Sequence, residues 1–266
     1  MAVLIFVVAV FSALGIGTWA SANLWKLWRP SYEKVDISAI LQKTVLSDDD
    51  YEMLYRQTGV TKVGVDEMRA DGTANQLKTI QDAFFGEFQV NPQKFGPFTY
   101  VEYGSRDIPT LPLKNGDILL SATTYCAFFR FGHSAMVVDA QNYRIIESFT
   151  PGTYSQLSPY SSLTGLANLI VVRPKCDASV RAQAAKFAKE QLLGIPYSLT
   201  VGIFSPKYTE EIPKETQCTH VVWYAYKKFG VDLDSNGGLV VKPQDIARSD
   251  QVEVLQVFGF DPERLW

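Results

Sequence analysis

A cysteine in the first turn of an amphipathic helix constrains this chain more than any other feature. From Cys218 onward, apolar side chains fall at Cys218, Val221, Val222, Ala225, Tyr226 and Phe229, the i, i+3, i+4, i+7 spacing of one helical face. Thr216 offers an N-cap and Gly230 a stop. The Cys218 thiol then lies beside unpaired backbone N–H groups and the positive end of the helix dipole, and both favour the thiolate. The competing reading is that Cys218 fills the core, since it lies on the buried face and free cysteines are among the most buried residues.

Few other residues can complete a thiol site. The 266 residues hold two histidines, His133 and His220, and three cysteines, Cys126, Cys176 and Cys218. No Cys-x-x-Cys pair is present, which removes the common structural zinc site. A site of His133, Cys218 and His220 is a weaker metal reading with few ligands, so no cofactor is expected. The net charge of −3 gives no basic footprint and excludes nucleic acid as the expected partner.

Residues 2–25 are uncharged and mostly apolar, long enough to span a bilayer. Ala20-Ser21-Ala22 also fits a signal-peptidase site, so a cleaved signal peptide competes with a retained membrane anchor at 1–25. Lys26 and Arg29, the first positive charges, favour a cytoplasmic downstream side. Chemistry suited to an outside substrate favours a secreted or anchored protein facing the cell envelope. Residues 26–110 read as a mainly helical N-terminal segment expected to pack near or over the site. Ser47-Asp48-Asp49-Asp50 starts one helix, and Leu77, Ile80 and Phe84 stripe another. Asn91-Pro92 and Phe95-Gly96-Pro97 read as loops.

Residues 111–266 change character. Gly116–Ser121, Ser134–Val138, Tyr143–Glu147 and Leu169–Val172 read as strands, and Val252–Val257 as the last one. Helices are expected after Asp177, at Cys218 and at Pro243–Ala247. Strands and helices are segregated rather than alternating, which gives an α+β fold with an antiparallel sheet.

A nucleophilic thiol needs a base within reach and a third group to orient it. His220 is two residues from Cys218 on one helix and faces elsewhere, so His133, opening a strand after Gly132, is the better base. The hairpin Ser134–Glu147 supplies the orienting acid. If its turn centres on Ala140 or Gln141, paired residue numbers sum to 280 or 282. His133 and Glu147 are then direct or diagonal neighbours on one face, whereas a one-residue slip would separate them. Glu147 is also a lone acid in an apolar run, costly to bury without a partner. Asp117 and Asp139 are rival acids placed at turns, and Cys126 is a rival nucleophile with no helix start before it. Cys176 adjoins a helix cap, and a Cys126–Cys176 disulfide after export stays open.

Five segments then fall into one order: Asn115-Gly116-Asp117-Ile118-Leu119, Gly132-His133-Ser134-Ala135-Met136-Val137-Val138, Ile146-Glu147-Ser148, Gly194-Ile195-Pro196-Tyr197 and Gln217-Cys218-Thr219-His220-Val221-Val222-Trp223. In this order, over roughly residues 111–250, the chain resembles the circularly permuted branch of the NlpC-type papain-like cysteine hydrolases, the YiiX/YebB-like group, distant relatives of cell-wall-associated hydrolases. The resemblance implies a papain-like fold with Cys218 as nucleophile, His133 as base and Glu147 as orienting acid. Tyr197 and Gln217 become candidate substrate contacts. Peptidoglycan stem peptides or related amides are the implied substrate. The chain departs from the family pattern at Ser198, where an acid is common, and at Thr219-His220, where Ser-Glu is common. Two rivals stand beside amide hydrolysis: an acyltransferase or thioesterase acting on lipid acyl groups, and a catalytically silent surface-binding module.

Overall fold

The computed structural model describes residues 1–263 and 266. Ten strands and nine α-helices make an α+β architecture among these residues. The central sheet has six antiparallel strands in the order β10-β9-β3-β6-β7-β8. These are β3 (Ile118–Ser121), β6 (His133–Asp139), β7 (Arg144–Glu147), β8 (Gln156–Pro159), β9 (Leu169–Pro174) and β10 (Val252–Phe258). Every residue of β3 and β9 is buried. A sheet covered on both faces needs such continuous apolar strands.

One face carries Ile118, Leu120, Met136, Ile146 and Ile170 against α7 (Ala178–Gln191), α8 (Cys218–Lys227) and α9 (Pro243–Ala247). The other carries Leu119, Ala135, Val137, Ile145 and Val171 against the N-terminal helices. These are α2 (Ser38–Leu41), α3 (Asp48–Thr58), α4 (Lys62–Ala70) and α5 (Leu77–Phe85), while α6 (Ser161–Thr164) follows β8. Helix α3 starts where the sequence indicates. Ser47 Oγ accepts from the Asp50 N–H, and the Asp50 carboxylate accepts from the Ser47 N–H. The Thr61 N–H donates to the Leu255 carbonyl at 2.9 Å, tying the start of α4 to β10.

Two expectations need correction. Asn91-Pro92 is not a loop: β1 (Val90–Lys94) and β2 (Thr99–Gly104) form a hairpin, with Phe95-Gly96-Pro97 in its turn. Pro92 is tolerated because β1 is an edge strand, and the exposed β1 carries no apolar alternation to announce it. The division at 110 is also crossed, since β2 pairs with β4 (Thr124–Cys126) and β4 with β5 (Phe129–Arg130) in a second, four-stranded sheet. Both halves build that sheet.

The first helix, α1 (Ala2–Asn23), is long and apolar enough to cross a membrane. Gly17 is its one buried residue.

Candidate active site

The candidate residues stand at the start of helix α8, the start of strand β6 and the end of strand β7. Helix α8 begins at Cys218 itself, one residue from where a Thr216 cap would start it. Gln217 is the cap: its Oε1 accepts from the Thr219 N–H at 2.9 Å. The Gln217 amide reaches the free N–H that the shorter Thr216 leaves alone, because Thr216 Oγ1 pairs with His220 Nδ1 at 2.9 Å. At the far end Gly230 turns left-handed at φ 81°, and the Val231 N–H closes on the Tyr226 carbonyl. The thiol is buried yet 8% exposed, donating toward Gln217 Oε1 at 3.2 Å and lying 3.6 Å from Thr219 Oγ1.

His133 opens β6 straight after Gly132, whose φ of 73° swings the chain into the strand. Pairing of β6 with β7 sets Met136 against Ile146 and Val137 against Ile145, with a bulge before Asp139. Those pairs sum to 282, so His133 and Glu147 are diagonal neighbours on one face. Their side chains meet there, His133 Nε2 lying 2.7 Å from Glu147 Oε2, both residues buried. Nδ1 is left for other partners.

The electrostatics tie this pair to the thiol. Burial disfavours the imidazolium of His133. Cys218, the strongest opposing neighbour, and then Glu147 override burial and raise the group to about 9. Burial likewise opposes the Cys218 thiolate, but His133, the Thr219 hydroxyl and the Ser134 N–H together hold it below an ordinary thiol. Glu147, also penalised by burial, is held below the usual carboxylate range by His133 and by Ser158 and Ser162. The directions of these shifts favour a buried thiolate and imidazolium, with the Glu147 carboxylate 2.7 Å from the ring.

The two other proposed contacts differ in kind. Tyr197 lies beside the thiol: burial and then the Cys218 charge raise its phenol far above the ordinary range. Its backbone bridges to Thr216, just before α8. Gln217, by contrast, is engaged inside the protein at both ends of its amide. Oε1 caps α8, and Nε2 donates to the Val241 carbonyl at 2.8 Å.

The rivals fall elsewhere. Asp117 is fully buried and takes a bidentate pair from Arg173, at 2.6 and 2.7 Å, plus the Lys114 N–H. Asp139 holds the hairpin turn through Asn142 and pairs with Lys189. Cys126 and Cys176 are free thiols, with Cys126 ending β4 of the second sheet. His220 is neutral and structural. Nε2 bonds the Lys207 carbonyl at 2.8 Å, and burial drops its pKa to about 4. With Nδ1 on Thr216 as well, it has no nitrogen left for a metal shared with Cys218.

Sequence reasoning passed over several residues around the pair. Ser134 donates to Thr219 Oγ1 at 3.0 Å, tying β6 to the first turn of α8. Strand alternation was the available signal, since Ser134 must face opposite to His133. Phe149 packs edge-on against the His133 ring at 5.0 Å, and Phe95 packs on Phe149 at 5.3 Å. Burial and then the Glu147 charge push the Tyr103 phenol up. The N-terminal segment therefore borders the site through its hairpin, while α3, α4 and α5 cover the sheet face opposite α8.

The chain is 30% identical over 147 residues to an uncharacterized protein, YycO, of Bacillus subtilis (strain 168), covering 55% of this chain. It spans 56% of that relative's length. No family model matches the chain, and no solved structure matches it.

Proposed function

We propose that this protein is a cysteine hydrolase of the permuted NlpC-type, papain-like kind, cleaving amides through a Cys218–His133–Glu147 triad. One observation carries the reading: a buried imidazole, 2.7 Å from a buried carboxylate, whose strongest favourable partner is a thiol at a helix start. Structural cysteines rise in pKa on burial, whereas this buried thiol falls. In the reaction, Cys218 attacks the carbonyl carbon and the C–N bond breaks. His133 passes its proton to the leaving amine, while Glu147 holds the imidazolium in place. Water activated by His133 then releases the thioacyl group. The Cys218 N–H, at the α8 N-terminus, is the first oxyanion donor. Tyr197, whose phenol feels the Cys218 charge, is the residue we assign to substrate contact.

Peptidoglycan stem peptides or related envelope amides are the substrate class we assign, with α1 as signal or anchor delivering the protein to that side. The exposed aromatic residues beside α1 favour a second reading, transfer or hydrolysis of lipid acyl groups.

The test is a thiol-reactive probe at mildly acid pH on wild type, Cys218→Ala and Cys126→Ala. Labelling is expected to vanish only with Cys218→Ala; loss with Cys126→Ala would sink the assignment. Turnover of muropeptides against acyl esters then separates the two substrate readings, and absence of both with a labelled thiol leaves a binding module.

A further inference from the structure

Helix α1 is apolar on every side, without the polar face of a helix that lies along a membrane surface. Its 22 residues span about 33 Å, the thickness of a bilayer core. One end of the four-stranded sheet docks on it. The antiparallel pairing of β2 with β4 puts the β1–β2 turn and the β4–β5 turn at the same end of the sheet, where the Ala127 N–H donates to the Phe98 carbonyl at 3.1 Å. The Phe98 ring lies 5.9 Å from Phe11. Phe128 seats on Gly17, where even a Cβ would come within 2.5 Å of the ring, and Ser21 Oγ donates to the Ala127 carbonyl at 2.6 Å. The two turns thus run beside about 15 Å of the α1 axis.

Even with those contacts made, the turns leave much of their rings uncovered. Phe95, Phe128 and Phe129 are 46%, 55% and 65% exposed. No charged side chain lies within 95–98 or 127–129. The nearest guanidinium, Arg130, is locked bidentate on Glu102 at 2.8 Å and lies over Trp25. Turn backbone is paired internally, with the Phe95 N–H on the Thr99 carbonyl at 2.8 Å, as a segment leaving water requires. At the end of α1 stand the exposed Trp19 and, a few residues on, Trp25 and Lys26, residue types of a headgroup layer.

We propose that these two turns enter the near leaflet of a lipid bilayer beside α1, so that the candidate site works at the membrane surface. The proposal rests on the reading of α1 as a retained anchor. The consequence for the site is direct. His133 lies only four positions after Phe129, at most about 13 Å of extended chain. The class of substrate this placement fits is an amide or acyl ester carried on a membrane-bound amphiphile.

The test uses the full-length chain with Cys126→Ser, Cys176→Ser and Cys218→Ala, in phosphatidylethanolamine/phosphatidylglycerol vesicles. Nitroxides are placed singly at Phe95→Cys, Phe128→Cys, Phe129→Cys, Val8→Cys and Lys186→Cys, and relaxation by oxygen is compared with relaxation by a water-soluble nickel chelate. Labels at 8, 95, 128 and 129 are expected to favour oxygen, those in the turns at shallower depth, and the label at 186 to favour nickel. Turn labels that favour nickel, with the label at 8 in lipid, would overturn the insertion and leave the anchor standing. Nickel-favouring labels at all positions would overturn both. Turn labels shielded from both agents and broadened by spin–spin coupling would mean that a second copy of the chain covers the patch, which also overturns it.

Discussion

His133 Nε2 and Glu147 Oε2 sit 2.7 Å apart across a diagonal of the β6–β7 ladder, in a place neither could occupy charged and alone. The pair sets the thiol. Removing the carboxylate in Glu147→Gln lowers the imidazole from about 9, and the weaker imidazolium then raises the Cys218 thiol. We expect the alkylation profile of Cys218 to shift up by about one pH unit, roughly a tenfold slower rate at pH 6. Superimposable profiles would show that Glu147 does not act on the site. Stability carries a matching sign. Glu147 is depressed in the folded state, so its contribution is present above about 4.5 and lost on further acidification. The Tm gap between wild type and Glu147→Gln should narrow below that pH.

His220 gives an acid response of its own. Its folded pKa near 4 lies below the ordinary 6.5, so the unfolded chain takes up a proton that the folded one refuses. Stability from this residue is complete above pH 6.5 and falls as the pH drops toward 4. The difference corresponds to about 3 kcal/mol. His220→Gln should show a flatter Tm profile between pH 6.5 and 4 than wild type, with Cys218 still labelled rapidly at neutral pH. An equally steep decline in the variant would count against a buried neutral imidazole.

Asp117 stands in the Asn115-Gly116-Asp117 turn as a structural acid. It is fully buried against Arg173, which also pairs with Glu67. Asp117→Ala would leave a buried guanidinium short of its main partner, at a cost of about 3–5 kcal/mol. Urea unfolding should report that loss, while the acid limb of Cys218 alkylation stays where it is under native conditions. A shift of that limb would instead make Asp117 part of the site.

The sequence carried the site better than its surroundings, for a physical reason. A two-residue period and a short turn leave only two registers that keep His133 and Glu147 on one face, and β6–β7 adopts one of them. The first turn of α8 was legible from its apolar stripe. Its cap was not, because glutamine is a poor N-cap by preference and takes the position only after Thr216 is claimed by His220. The β1–β2 hairpin stayed hidden for a different cause. Its first strand is an exposed edge containing Pro92, and its pairing with β4 joins residues far apart in the chain. What local pattern cannot show is which layer a helix joins. Segment 26–110 covers the opposite face of the sheet because β3 and β9 are apolar on both sides and need a second cover.

Gly132 tests how strictly the chain must enter β6. Its φ is 73°, and an added Cβ would stand 2.4 Å from the Ser121 carbonyl oxygen, a backbone atom that cannot swing aside. Ser121 is the ladder partner of His133, so any yielding moves the imidazole. Gly152 is also left-handed, at φ 85°, but its Cβ would meet nothing. Gly152→Ala therefore isolates the conformational cost, about 1–2 kcal/mol, and should leave Cys218 alkylation as in wild type. Gly132→Ala adds the clash, so we expect a larger loss in urea unfolding. It should also move the acid limb of Cys218 alkylation toward that of an ordinary thiol, because the imidazole no longer meets the thiol in register. If both variants lose the same stability and keep the same limb, the entry into β6 has slack, and the position of His133 is set by Glu147 alone.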